Sequence, residues 1–87
     1  MKVKEFLTKE NWTQRAFALR QDGNPCHWLD TKAVKFCLQG ALLKCYPGQP
    51  ATIDTLLNNA CGNTVRWNDA PERTFKEVKA LVEKLDI

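Results

Sequence analysis

Apolar residues along this chain recur mainly at steps of three and four, the spacing that gathers them on one face of a helix. Val3, Phe6 and Leu7 do so with charged residues between them, predicting a short amphipathic helix over about residues 3–10. Asn11-Trp12-Thr13-Gln14 then brings poor helix formers and a large aromatic together, which ends it. The next apolar runs, Ala16 to Arg20 and Cys26-His27-Trp28, flank Asp22-Gly23-Asn24-Pro25. Glycine accepts positive φ, and Asp and Asn bond nearby amides, so this stretch reads as a small β-hairpin. Asp30-Thr31 offers a cap to the clearest stripe of all, Val34, Cys37, Leu38, Ala41, Leu42 and Cys45. That helix is expected to form the centre of the core and to end near Tyr46. Gly40 within it costs up to about 1 kcal/mol relative to Ala, a cost tolerated where another element approaches closely.

Pro47-Gly48-Gln49-Pro50 is a loop by composition. Ile53, Leu56, Leu57 and Ala60 mark a short helix with Thr52 as its expected cap and Gly62 at its end, and Asn63 to Asn68 reads as a connection. Two capping signals follow, Asp69 with Glu72 and Thr74 with Glu77. Asp69 is expected to open a turn and Thr74 to cap the last helix, whose stripe is Phe75, Val78, Leu81, Val82 and Leu85. The sum is a mainly α fold, a compact bundle of about four short helices with a small β-hairpin between the first and second, in one domain spanning residues 1–87.

Composition narrows the class without naming a function. With 87 residues, 44% hydrophobic and 26% charged, the chain can build one core and holds little stability in reserve. A ligand or a second copy that binds only the native form would therefore add visibly to it, and a homo-oligomer is compatible with this. The first residues carry charges where a secretory signal needs an apolar run, and no stretch of about 18 apolar residues exists, so the expected location is cytoplasmic, the host cytoplasm if a phage encodes the chain. Cys26, Cys37, Cys45 and Cys61 are then read as reduced thiols. Thirteen Lys and Arg against ten Asp and Glu give a net charge of +3, a weak preference for anionic partners. No helix-turn-helix, zinc-finger or aromatic RNA-platform signature supports sequence-specific nucleic-acid binding, and no membrane partner is expected.

No metal, cofactor or catalytic residue is assigned. Zinc wants closely spaced ligand pairs, whereas Cys26 and His27 are adjacent and the other cysteines are far apart. A cysteine nucleophile needs a base, and in a strand Cys26 and His27, the only imidazole, point to opposite faces. Asp69, Glu72 and Glu77 have capping to do, and the four Gly are too dispersed for a phosphate loop.

The candidate ligand-binding set is aromatic and polar: Trp12 and Gln14 on one side, Trp67, Asn68, Asp69, Arg73 and Thr74 on the other. Amides at a helix start present partial positive charge, a guanidinium supplies a fork of donors, and an indole stacks on planar groups. These residues also carry a resemblance. Trp12-Thr13-Gln14, Asp22-Gly23, Cys37-Leu38-Gln39-Gly40-Ala41-Leu42 and the run from Trp67-Asn68-Asp69 through Arg73-Thr74 to Glu77-Val78 resemble a small family of unknown function found in bacteria and their phages. The resemblance implies a compact, mostly helical fold and brings no activity that could be transferred to residues.

The expected function is a non-enzymatic binding protein, a phage-encoded modulator of bacterial immunity that sequesters a small anionic or nucleotide-like ligand. The alternative is an inhibitor or adaptor that blocks a host protein complex through an exposed Trp or the C-terminal helix. A small enzyme is the third reading.

Overall fold

The turn between residues 16 and 28 seeds a sheet larger than the expected hairpin. In the computed structural model, which describes residues 1–87, β1 (Ala18–Arg20) pairs antiparallel with β2 (Pro25–Cys26), Ala18 lying opposite Cys26. Gly23 takes φ 87° in the connecting turn, and the Asp22 carboxylate accepts the Asn24 N–H at 3.0 Å. A third strand, β3 (Ala33–Phe36), pairs with the other edge of β1, giving the order β2-β1-β3.

That strand overturns the mainly α reading: the domain is mixed α/β, with five helices and a three-stranded antiparallel sheet. Val34 fits a helical stripe and a strand equally well, and β-branched Val with aromatic Phe36 favours the pleated sheet. Phe36, off the helical stripe, is buried, while Val34 is exposed. Asp30 caps no helix. One carboxylate oxygen accepts the Lys32 N–H at 2.8 Å, closing a turn, and the other pairs with Arg20.

The helix α2 (Leu38–Cys45) starts only after Cys37, whose thiol sulfur accepts the Gly40 N–H at 3.3 Å as the cap. Three other elements differ from expectation. The first helix, α1 (Val3–Phe6), is a single turn, α3 (Ala51–Cys61) is preceded by Pro50 rather than capped by Thr52, and the presumed connection is α4 (Thr64–Asp69). Asn63 caps α4 by accepting the Arg66 N–H at 3.0 Å. The last helix, α5 (Phe75–Leu85), has the reciprocal Thr74–Glu77 box that its sequence signals.

One core joins these pieces. Val3 and Leu7, Ala18 and Phe36 from the sheet, Leu38 and Leu42 from α2, and Val78 and Val82 from α5 bury their side chains together. The helices α1 and α4 pack against α2, with α5 against α1 and α3 against α4. At Gly40 the chain passes so close to Phe17, the residue before β1, that a Cβ would collide with the Phe17 carbonyl oxygen. No helix is long and apolar enough to cross a membrane.

The C-terminal residues are stitched to α1. Ile87 is buried and its carbonyl accepts the Lys4 N–H at 2.9 Å, while the Asp86 carboxylate accepts from the Lys2 and Lys4 ammonium groups. Those hydrogen bonds, Lys4 first, hold the Asp86 pKa down to about 2 from an ordinary 3.8. A depressed carboxyl contributes stability that is complete above its unfolded pKa and is lost as the pH falls through its folded one. Asp86→Asn keeps a residue suited to the left-handed φ of 55° and removes the charge. In parallel denaturation series, wild type is therefore expected to be the more stable at pH 6, the gap closing as the pH falls from about 4 toward about 2.

Candidate functional site

The short α4 brings the candidate residues together by carrying Asn68 into the interior. Asn68 is fully buried, at 0% exposure, and every hydrogen-bonding position of its amide is used. Its oxygen accepts the Trp12 indole N–H at 2.8 Å and the Leu38 backbone N–H at 3.0 Å. Its nitrogen donates to the Thr13 carbonyl at 3.2 Å and to the Asp69 carboxylate at 3.0 Å. One side chain thus ties the extended segment after α1, the first turn of α2 and the end of α4 to one another.

Gln14 and Asp69 widen the same clamp. The Gln14 amide donates to the carbonyls of Asn68 and Ala70 at 2.8 and 2.9 Å, satisfying groups at the C-terminal end of α4. Asp69 accepts the Arg15 N–H at 2.9 Å, and Arg15 adopts the left-handed φ of 68°. The Trp12 ring also packs against Phe75, centroids 6.1 Å apart.

Trp67, Arg73 and Thr74 form a second, adjoining unit. The Arg73 guanidinium lies 4.0 Å from the centroid of the Trp67 ring, donates through Nε to the Trp67 carbonyl at 2.9 Å, and pairs with Glu77 at 2.9 Å. Glu77 in turn accepts from the Thr74 N–H, and this bond, with the Arg73 charge, lowers its pKa. So the seven residues singled out by sequence do gather around α4 and the start of α5, in two units. Their polar groups, however, meet one another: the indole N–H, the Asn68 amide and two faces of the guanidinium fork are engaged inside the protein.

Three hollows lie around these units, one bordered by Thr74 and another by Asp69. The largest, 660 Å³, lies at the far end of the sheet, where Arg20 and Asp30 already neutralise each other through two hydrogen bonds of 3.0 and 3.1 Å. A second, of 520 Å³, runs along α5, with Phe75 and Ala80 offering apolar surface, Lys9, Lys76 and Lys79 around it and Glu83 at one end. A third, of 260 Å³, sits between Arg15, Phe17, Cys37, Val65 and Asp69. Sequence reasoning passed over the lysine groove. Lys76 and Lys79 belong to no motif of the sequence, and Lys9, which follows α1, joins them only through the packing of α1 on α5. The signal was the repeat Lys76, Lys79, Ala80, Glu83 on one side of α5.

Three of the four thiols are shifted away from the reactive form, and the imidazole is engaged through one nitrogen. Burial pushes the Cys37, Cys45 and Cys61 thiols up, away from thiolate. His27 is exposed and its Nδ1 accepts the Leu29 N–H at 3.0 Å. All four cysteines are free thiols.

The chain belongs to a family of unknown function, DUF6197, whose model matches residues 1–85. No curated protein and no solved structure matches it.

Proposed function

We propose that this member of the family works by binding, and that the groove along α5 docks an acidic segment of a partner protein. The observation that carries the reading is a charge imbalance around an apolar strip. Three lysines and one glutamate surround the Phe75 and Ala80 surface, so an anionic segment with apolar side chains gains on both counts. Lys79 is held by its hydrogen bond to the Lys4 carbonyl, which fixes one positive charge at the rim, whereas Lys9 and Lys76 are exposed. From Thr74 to Glu83 the helix runs about 14 Å, a length suited to a peptide strand or helix turn more than to a compact metabolite.

The clamp around Asn68 supports the choice of groove, because it leaves the tryptophan–asparagine region little to offer a ligand.

The test is titration of isotope-labelled protein with an acidic peptide alternating Glu and Leu. Shifts are expected at Lys9 and over residues 74–83, and reversing Lys9 and Lys76 to Glu together is expected to weaken binding at least about tenfold, about 1.4 kcal/mol. Lys84→Glu, on the exposed last turn outside the groove, serves as the control. Affinity that survives the double reversal contradicts the proposal. Shifts at Trp67 and Arg73 on adding AMP, with none in the groove on adding peptide, would return the small-ligand reading.

A further inference from the structure

A different face of the molecule carries an independent inference. The helices cover the side of the sheet that holds Ala18 and Phe36, both buried. The opposite side, with Leu19 paired to Lys35 and to Pro25, has no element packed over it that buries Lys35 or Pro25. Beside it stands a run of aromatic rings. Phe17 is 40% exposed and meets Trp28 edge to face at 5.6 Å, and the exposed His27 ring stacks on Trp28 at 3.9 Å and 27°. Leu29, 63% exposed, extends the apolar surface. The hollow of 260 Å³ opens next to Phe17, with Arg15 on its wall.

Two cations flank these rings without an ion pair. Arg15 and Lys35 are exposed, and the ion pairs of the protein are formed by other residues. Asp69 lines the same hollow as Arg15 and accepts from two neutral donors, the Arg15 backbone N–H and the Asn68 amide, so its charge offsets part of that of Arg15 and Lys35 is the main cation of this face. Rings that offer π-faces, with cations beside them, are the elements that hold unpaired nucleotides: bases stack and the backbone finds positive charge.

We propose that this face, centred on Phe17, His27, Trp28 and Lys35 with Arg15 at its border, binds single-stranded nucleic acid without reading its sequence. A second copy of the chain fits worse, because a two-fold pairing of this face would bring the unpaired Arg15 and Lys35 cations of both copies into one interface. Duplex DNA fits worse as well, since its bases are already stacked and the flat face presents no helix to a groove.

The test is fluorescence anisotropy with labelled oligothymidine of about 16 nucleotides, and with a duplex of the same length. The single strand is expected to bind at least tenfold more tightly than the duplex. Phe17→Ala is expected to weaken it about tenfold, the size of one lost base stack. Lys35→Glu is expected to weaken it and to flatten its salt dependence by about one phosphate contact. Reversal of Lys9 and Lys76 is expected to leave it unchanged, which separates this face from the α5 groove. The inference is overturned if the Phe17 and Lys35 variants, melting like wild type, bind the strand as wild type does. It is overturned equally if duplex binds as well as single strand, or if sedimentation shows a dimer whose formation excludes the oligonucleotide.

Discussion

Asn68→Ala is expected to lose about 4 kcal/mol of stability, most of what a domain of this size possesses. The sum is built from partners left behind. Truncation strands the Trp12 indole N–H, the Leu38 N–H and the Thr13 carbonyl, each costing about 1–3 kcal/mol if no water reaches it. At about 4–8 °C per kcal/mol for a chain this short, the melting temperature should fall by roughly 20 °C. Asn68→Asp should do little better, since it removes the donor to Thr13 and sets a second carboxylate beside Asp69. Trp12→Phe is the informative contrast: it keeps the ring against Phe75 and leaves the Asn68 oxygen its Leu38 partner, so about 1 kcal/mol is expected. Urea denaturation of the three variants orders them, and an Asn68→Ala protein within 1 kcal/mol of wild type, on the scale of one ordinary hydrogen bond, would remove the clamp.

The second large effect turns on a sign. In a helix interior free of neighbours, Gly→Ala stabilises by about 1 kcal/mol. At Gly40 the new methyl would meet the Phe17 carbonyl oxygen at 2.0 Å and its carbon at 2.9 Å, both backbone atoms that cannot swing aside. Phe17, just before β1, must then move off α2, loosening the Cys37 N–H bond to that same carbonyl, now 3.2 Å. Gly40→Ala is accordingly expected to destabilise by about 3 kcal/mol. A denaturation midpoint above that of wild type would show that Phe17 and α2 do not meet this closely.

What could be read from sequence follows the range of the interaction. The capping box at Thr74 and the stripe of α5 are local, every partner lying within four residues, and they stand as expected. The helix expected from Val34 to Tyr46 has its first three residues in a strand, because only pairing with β1 decides between the two, and β1 lies fifteen residues earlier. Cys37 is buried among the core residues, as its place on the stripe predicts, and also caps α2, a task cysteine seldom performs. Asn63 was an unread cap, and with it α4 was missed.

The candidate site shows the same limit. Trp12, Gln14, Asn68 and Asp69 come together across some 55 positions of sequence, as their residue types suggested. Sequence could not say whether donors and acceptors would face a ligand or each other. A buried asparagine with four partners is a way to fix unlike segments in one arrangement, and that use leaves no part of its amide for anything else. Conversely, Lys9 and the Phe17–Trp28 pair acquire neighbours only through packing.

The exchange rate of the Trp12 indole N–H in unmodified protein tests this account most directly. Bound to a fully buried Asn68, it is expected to exchange only through global unfolding, at the pace of the Val78 and Val82 amides within the core helix. An indole proton that exchanges near the free rate while those two amides stay protected would show that the tryptophan region opens to solvent, and would give those residues back to a ligand.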